Sequence, residues 1–145
     1  AAALIAPPHG LLDSLTVPFN IRRFFSFAPA RSLCVIDGIE KINLHREASR
    51  VETDWENWPL ASVNDHVVRL SVMTRDFHWH RHCDSDEMLM PVEGSLIVDF
   101  EDKTLTVDVG EFVRVPRNVL HRTRPAGDKV VTLSFEHKDT SVTGS

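Results

Sequence analysis

From about residue 59 onward the chain alternates short apolar runs with polar positions and breaks at turn-forming residues. His66-Val-Val-Arg-Leu-Ser-Val-Met-Thr74, Phe77–His82 and Glu87-Met-Leu-Met-Pro-Val92 read as strands, with Glu93-Gly94 as a turn. Ser95–Glu101 sets Leu96, Val98 and Phe100 against Ile97 and Asp99, which is period two, the side-chain repeat of a strand. Asp102-Lys103 turns the chain into Thr104–Val109, Asp108-Val-Gly110 turns it again, and Phe112–Val115 follows. After the turn Pro116-Arg-Asn118, His121 opens another segment, and Lys129–Glu136 forms a last strand. No long helical period competes with these strands. Short strands separated by turn residues predict an antiparallel sandwich or barrel.

Upstream, Ile39-Glu-Lys-Ile-Asn-Leu-His45 also alternates and predicts a half-buried strand that opens the domain. The polar stretch Arg46–Asn57 runs into Trp55-Glu-Asn-Trp58-Pro59, which predicts a helical turn closed by the proline. Its two tryptophans are expected at a barrel end or a subunit contact. Residues 1–38 differ: Pro7, Pro8, Pro18 and Pro29 break them up, and Arg22, Arg23 and Arg31 face only Asp13 and Asp37. They read as an irregular arm with one strand candidate, Ser32–Ile36. The acid-poor make-up faintly resembles a transit peptide, but no amphipathic helical period accompanies it. An extension packed on the barrel or on a partner subunit is expected. The organisation is thus an arm (1–38), a barrel (39–138) and a C-terminal tail (139–145).

At 145 residues the chain has the size of one domain. A net charge of -5 and the lack of any dense Lys/Arg cluster exclude nucleic acid as the expected partner. No apolar run reaches membrane-spanning length, so no membrane partner is expected. Cys34 and Cys83 form neither a Cys-x-x-Cys pair nor a disulfide framework, and the opening Ala-Ala-Ala-Leu-Ile-Ala-Pro-Pro lacks the features of a secretory signal. A reduced, cytoplasmic protein is the expectation.

The chemistry concentrates in His78-Trp-His-Arg-His-Cys-Asp-Ser-Asp-Glu87. In an extended strand His78, His80 and His82 project one way while Phe77, Trp79 and Arg81 project the other. The polar loop Cys83–Asp86 then lets Glu87 return from a neighbouring strand. Imidazoles with a carboxylate are a donor set for a divalent transition metal. The spacing from His80-x-His82 through Glu87 to Gly94, and from Gly110 through Pro116-Arg-Asn118 to His121, resembles the two motifs of the cupin superfamily, G-x5-H-x-H-x3/4-E-x6-G and G-x5-P-x-G-x2-H-x3-N. Trp79-His-Arg-His82, Asp86-Glu87, Trp58-Pro59 and Val115-Pro-Arg-Asn-Val-Leu-His121 are similar to small stand-alone cupins of the mannose-6-phosphate-isomerase-like group. The resemblance implies an all-β fold, a double-stranded β-helix or jelly-roll barrel, around one metal held by His80, His82, Glu87 and His121. Thr74, Asn118 and Arg124 depart from the motifs at two glycines and an asparagine. Asn118 is expected to keep its turn, because Asn tolerates a left-handed backbone, and Arg124 to alter the hydrogen bonding near the barrel end.

His78 lies one strand step outside the ligand pair and reads either as a pocket wall or as a plain rim histidine. Leu89 shares the parity of Glu87 and is expected to line the cavity with some of Phe112, Arg114, Thr123, Leu133 and Phe135. Arg75, Arg114 and Arg122 are candidate carboxylate clamps, although each alone is more often a solvated strand residue. Cys83 points away from His82 and reads as a loop cysteine. Four protein ligands saturate a tetrahedral Zn, whereas an octahedral Fe, Mn or Ni keeps two positions open; these three are favoured, with Zn and Co as alternatives. A site of that kind fits chemistry on a small oxygenated organic substrate, as in a dioxygenase, decarboxylase or isomerase. The alternative is a non-catalytic, metal-dependent module that binds a sugar or an organic acid. Exposed barrel edges, the arm and Trp55/Trp58 predict a homodimer.

Overall fold

Period-two alternation forces each strand to present one side-chain set to the barrel interior and the other to its outer surface. The computed structural model describes residues 34–36 and 39–144. In chain order the elements are β1 (Cys34–Ile36), β2 (Ile39–Lys41), α1 (Leu44–Ala48), β3 (Trp55–Val63), β4 (His66–Met73), β5 (Arg81–His82), β6 (Glu87–Glu93), β7 (Leu96–Phe100), β8 (Thr104–Val107), β9 (Val113–Val115), β10 (His121–Pro125), β11 (Val130–His137) and β12 (Val142–Thr143). A five-stranded antiparallel sheet, β3-β4-β11-β6-β9, packs against a three-stranded one, β10-β7-β8. Two short pairs, β1-β2 and β12-β5, complete the set among the described residues. This is the all-β double-stranded β-helix.

Two apolar clusters hold it. Met73, Leu89 and Val115 from the larger sheet meet Leu96, Val98 and Val107 from the smaller one, filling one end of the barrel. On the outer face of the larger sheet, Trp58, Leu70, Val72, Val131 and Leu133 pack with Ala48, Leu44 and Val51 of the α1 region. Gly94 shows how tightly the hairpins close: it sits at φ 73°, and a Cβ there would lie 2.4 Å from the Lys129 carbonyl oxygen. Asn118 takes the left-handed conformation at φ 65° without being glycine. Thr74 donates its hydroxyl to the Asp54 carbonyl (3.1 Å), tying down the turn where the motif has glycine.

Four expectations need correction. The strand over Ile39–His45 ends at Lys41, because Asn43 accepts a hydrogen bond from the Arg46 amide (3.0 Å) and caps α1 instead. Trp55–Pro59 is not a helical turn but the start of β3, an edge strand, where proline is tolerated; the register shifts between Pro59 and Ala61. The strand over Phe77–His82 shrinks to β5, with His80 joined to His121 through an isolated bridge. The described part of the tail, residues 139–144, is not free: β12 pairs with β5, and Asp84 accepts hydrogen bonds from Thr140 and Ser141. The arm expected over residues 1–38 lies outside the described residues except for Cys34–Ile36.

Candidate metal centre

β5 and the bridge before it bring in His80 and His82, β6 begins with Glu87, and β10 begins with His121. Each ligand candidate therefore sits at a strand end on the same rim of the barrel. Their donor atoms all lie within 4.8 Å of one another. Donors across an octahedral ion with bonds of about 2.1 Å stand about 4.2 Å apart, so an inward shift of a few tenths of an ångström closes the set.

Hydrogen bonds aim the rings. His80 Nδ1–H donates to the His78 carbonyl and His121 Nδ1–H to the Val119 carbonyl, both at 3.0 Å. A carbonyl only accepts, so both rings keep the Nε2 lone pair for the centre. The Nε2 atoms of His82 and His121 each lie 3.3 Å from Glu87 Oε2. All four residues are buried, at 4, 5, 7 and 0% exposure for His80, His82, Glu87 and His121. His82 Nε2, His121 Nε2 and Glu87 Oε2 are buried without a hydrogen-bond partner. Orphaned buried polar atoms are costly, and these three converge, so the residues present fit a metal ion.

The electrostatics set buried carboxylates against the rings. Burial pushes the His80 imidazolium down to about 4. For His82 burial works downward too, but Glu136 and Glu87 outweigh it and raise the ring to about 10. Burial opposes ionisation of Glu87, yet His121 and His82 hold its carboxyl at about 2. The centre is thus built around a carboxylate that stays charged and draws a cation.

Glu136 was not singled out by the sequence reading. It is buried on β11, and its Oε2 lies 3.1 Å from His82 Nδ1, in ion-pair contact rather than a well-aligned hydrogen bond. Such outer carboxylates orient metal-binding histidines. The signal was the polar parity Thr132, Ser134, Glu136 on the last strand.

A cavity of about 460 Å³ opens beside the cluster, lined among others by His78, Leu89 and Thr123 of the lining candidates, and by Arg69, Ser71 and Thr132. The other four expected lining residues lie elsewhere. Phe112 is 63% exposed, and Arg114 is exposed and pairs with Asp86 on the outside. Leu133 and Phe135 pack in the outer-face cluster, because β11 turns its polar parity inward and its apolar parity outward. Of the clamp candidates, Arg75 pairs with Asp54 and Arg122 with Asp76 and Asp99, outside the cavity. The guanidinium that does face the cavity is Arg69. Cys83 is half-buried, 3.2 Å from the Thr143 hydroxyl and apart from the ligand cluster.

The family profile for the Cupin domain, Cupin_2, matches residues 66–135. The uncharacterized protein YdbB of Bacillus subtilis (strain 168) is 40% identical over 97 residues, 66% of this chain and 85% of that one. The chain belongs to the cupin superfamily. Among solved structures, a cupin-2 domain protein from Shewanella frigidimarina superposes with a TM-score of 0.62 at 28% identity, covering 67% of this chain and 94% of its own. Protein NMB1881 from Neisseria meningitidis gives 0.60 at 30% identity, covering 68% and 100%. The matched residues 66–135 contain His80, His82, Glu87 and His121. No described helix is long and apolar enough to cross a membrane.

Proposed function

We propose that this cupin binds one divalent transition metal, Fe, Mn or Ni, through His80, His82, Glu87 and His121, and acts on a small oxygenated organic molecule. The carrying observation is the cluster of four buried donor residues, three of them with orphaned donor atoms, beside an open cavity that His80, His82 and Glu87 line. When bound, the metal would supply Lewis-acid polarisation of a chelating oxygen, with open positions for substrate or dioxygen. The chain's own residues do the rest. His78 and Val119 carbonyls fix the tautomers of His80 and His121. Leu89, Met73 and Phe77 keep part of the cavity wall dry, while Thr123, Ser71 and Thr132 offer hydroxyls. An apolar lining with a few convergent polar groups suits a small ligand.

The test is metal-loaded protein incubated with panels of diols, keto acids and hydroxy acids, with oxygen uptake and product mass followed. Turnover that disappears on chelation supports the proposal. Ligand-induced thermal shifts without turnover for any of the metals replace it with a binding module.

A further inference from the structure

The cavity has a second polar pole besides the metal-ligand rim. Register alignment puts it on one wall of the larger sheet: Asn57 opposite Ser71 on β3 and β4, and Ser71 opposite Thr132 on β4 and β11, with Arg69 one parity step along β4. Arg69 Nε donates to Asn57 Oδ1 and lies 3.7 Å from Glu136 Oε1. Both of these contacts run through Nε. Thr132 is 1% exposed and its hydroxyl is buried without a hydrogen bond, although it lines the cavity. Ser71 Oγ accepts from Asn57 Nδ2 at 2.7 Å, which leaves its own proton to donate inward.

We infer that Arg69, Ser71 and Thr132 form an oxyanion subsite, and that the ligand is a small acid chelated at one end and held by its carboxylate at the other. This rests on the metal-site reading above. The guanidinium presents a planar pair of N–H donors, the geometry that a carboxylate matches bidentately. Charge favours the same occupant. Locally, Arg69 is the one arginine or lysine among the described lining residues, and the Glu136 carboxylate it approaches is shared with His82. A ligand without a carboxylate at this pole would leave the Thr132 hydroxyl unanswered, whereas a carboxylate can accept from both Thr132 and Arg69.

The experiment uses the full chain loaded with Mn(II) or Ni(II), with stoichiometry fixed by elemental analysis. Calorimetry then compares 2-hydroxy diacids (tartronate, malate and 2-hydroxyglutarate) with lactate, 2-hydroxybutanoate and 2-hydroxypentanoate in turn, which keep the chelating end and lack the second carboxylate. At least one diacid is expected to bind roughly ten- to a hundredfold tighter than its monoacid counterpart, the range of charged hydrogen bonds. Arg69→Lys should lose most of that preference while monoacid affinity, metal content and melting temperature hold. If every diacid binds within threefold of its monoacid counterpart, or if Arg69→Lys keeps the full preference, the subsite is refuted and the metal site stands. If no metal binds at all, it is the metal reading that fails. The wild-type series decides without any variant having to fold.

Discussion

Asp99 sits where the smaller sheet holds the strand that delivers His121. It pairs across β7 and β10 with Arg122, next to the His121–Phe100 pair. Its carboxylate accepts from Arg124 Nε (2.8 Å), Arg122 Nε (2.9 Å) and the Thr104 hydroxyl (2.8 Å), with the side chain only 9% exposed. Arg124, then Thr104 and Arg122, hold the carboxyl well below the usual carboxylate range, against burial, which works the other way. Replacing it with Ala leaves two guanidinium groups side by side without their shared anion. Breaking a buried pair costs about 3–5 kcal/mol, but both arginines are about a third exposed, 33 and 30%, and water screens them. About 2 kcal/mol is the expected loss for Asp99→Ala, read from urea unfolding at pH 7. The folded carboxyl is depressed relative to its unfolded value of about 3.9. Its contribution is therefore present above that pH and drains away as acid approaches the folded value. Wild type should lose stability faster than Asp99→Asn between roughly pH 4 and pH 2. Parallel pH curves for the two, or a loss under 0.5 kcal/mol in Asp99→Ala, would refute the assignment of Arg124 as an anchor that stands in for the motif's asparagine.

His82→Ala and His121→Ala should each purify with sharply reduced metal, and elemental analysis decides; full stoichiometry in both means the ligands are misassigned. Glu136→Gln should weaken metal binding by about tenfold in a chelator competition, because His82 loses the carboxylate that orients it; an unchanged affinity would confine Glu136 to the Arg69 side. Gly94→Ala is expected to cost about 1–3 kcal/mol in thermal or urea unfolding, since it adds a methyl against the Lys129 carbonyl at a left-handed φ. Finally, the chain is expected to be a homodimer, and light scattering that reads a monomer at micromolar concentration would overturn this.

How much of this could be read in advance depended on whether the deciding contact was local. The hairpins from β6 to β10 were legible, since alternation and turn residues such as Gly94 and Asn118 settle them within a few positions. The clustering of His80, His82, Glu87 and His121 was legible through the motif spacing. Trp55–Pro59 was misread because an i,i+3 pair of tryptophans mimics a helical face, while the bonds that make it a strand come from β4, more than ten residues on. Asn43 likewise looked like one more polar step in an alternating run until its side chain capped α1.

Leu133 and Phe135 fell outside the lining for a deeper reason: apolar parity was taken to mean the inside. In this barrel the larger sheet is apolar on both faces at different heights. Across the interior face, Trp55, Met73 and Val130 stand at the closed end in register, followed by the polar row Asn57, Ser71 and Thr132. Leu133 and Phe135 occupy the opposite parity and go to the outer cluster. A strand such as β11 therefore changes the character of its inward parity along its length, from Val130 through Thr132 and Ser134 to Glu136. That gradient divides the barrel into a dry half, which holds the sheets together, and a wet half, where Glu136 can reach His82. Averaging hydropathy over the strand erases it; the order of residues within the inward parity carries it. The rule this yields is that a barrel strand whose inward positions turn steadily polar toward one end marks the polar part of the cavity, and β4, running Met73, Ser71, Arg69, obeys it as well.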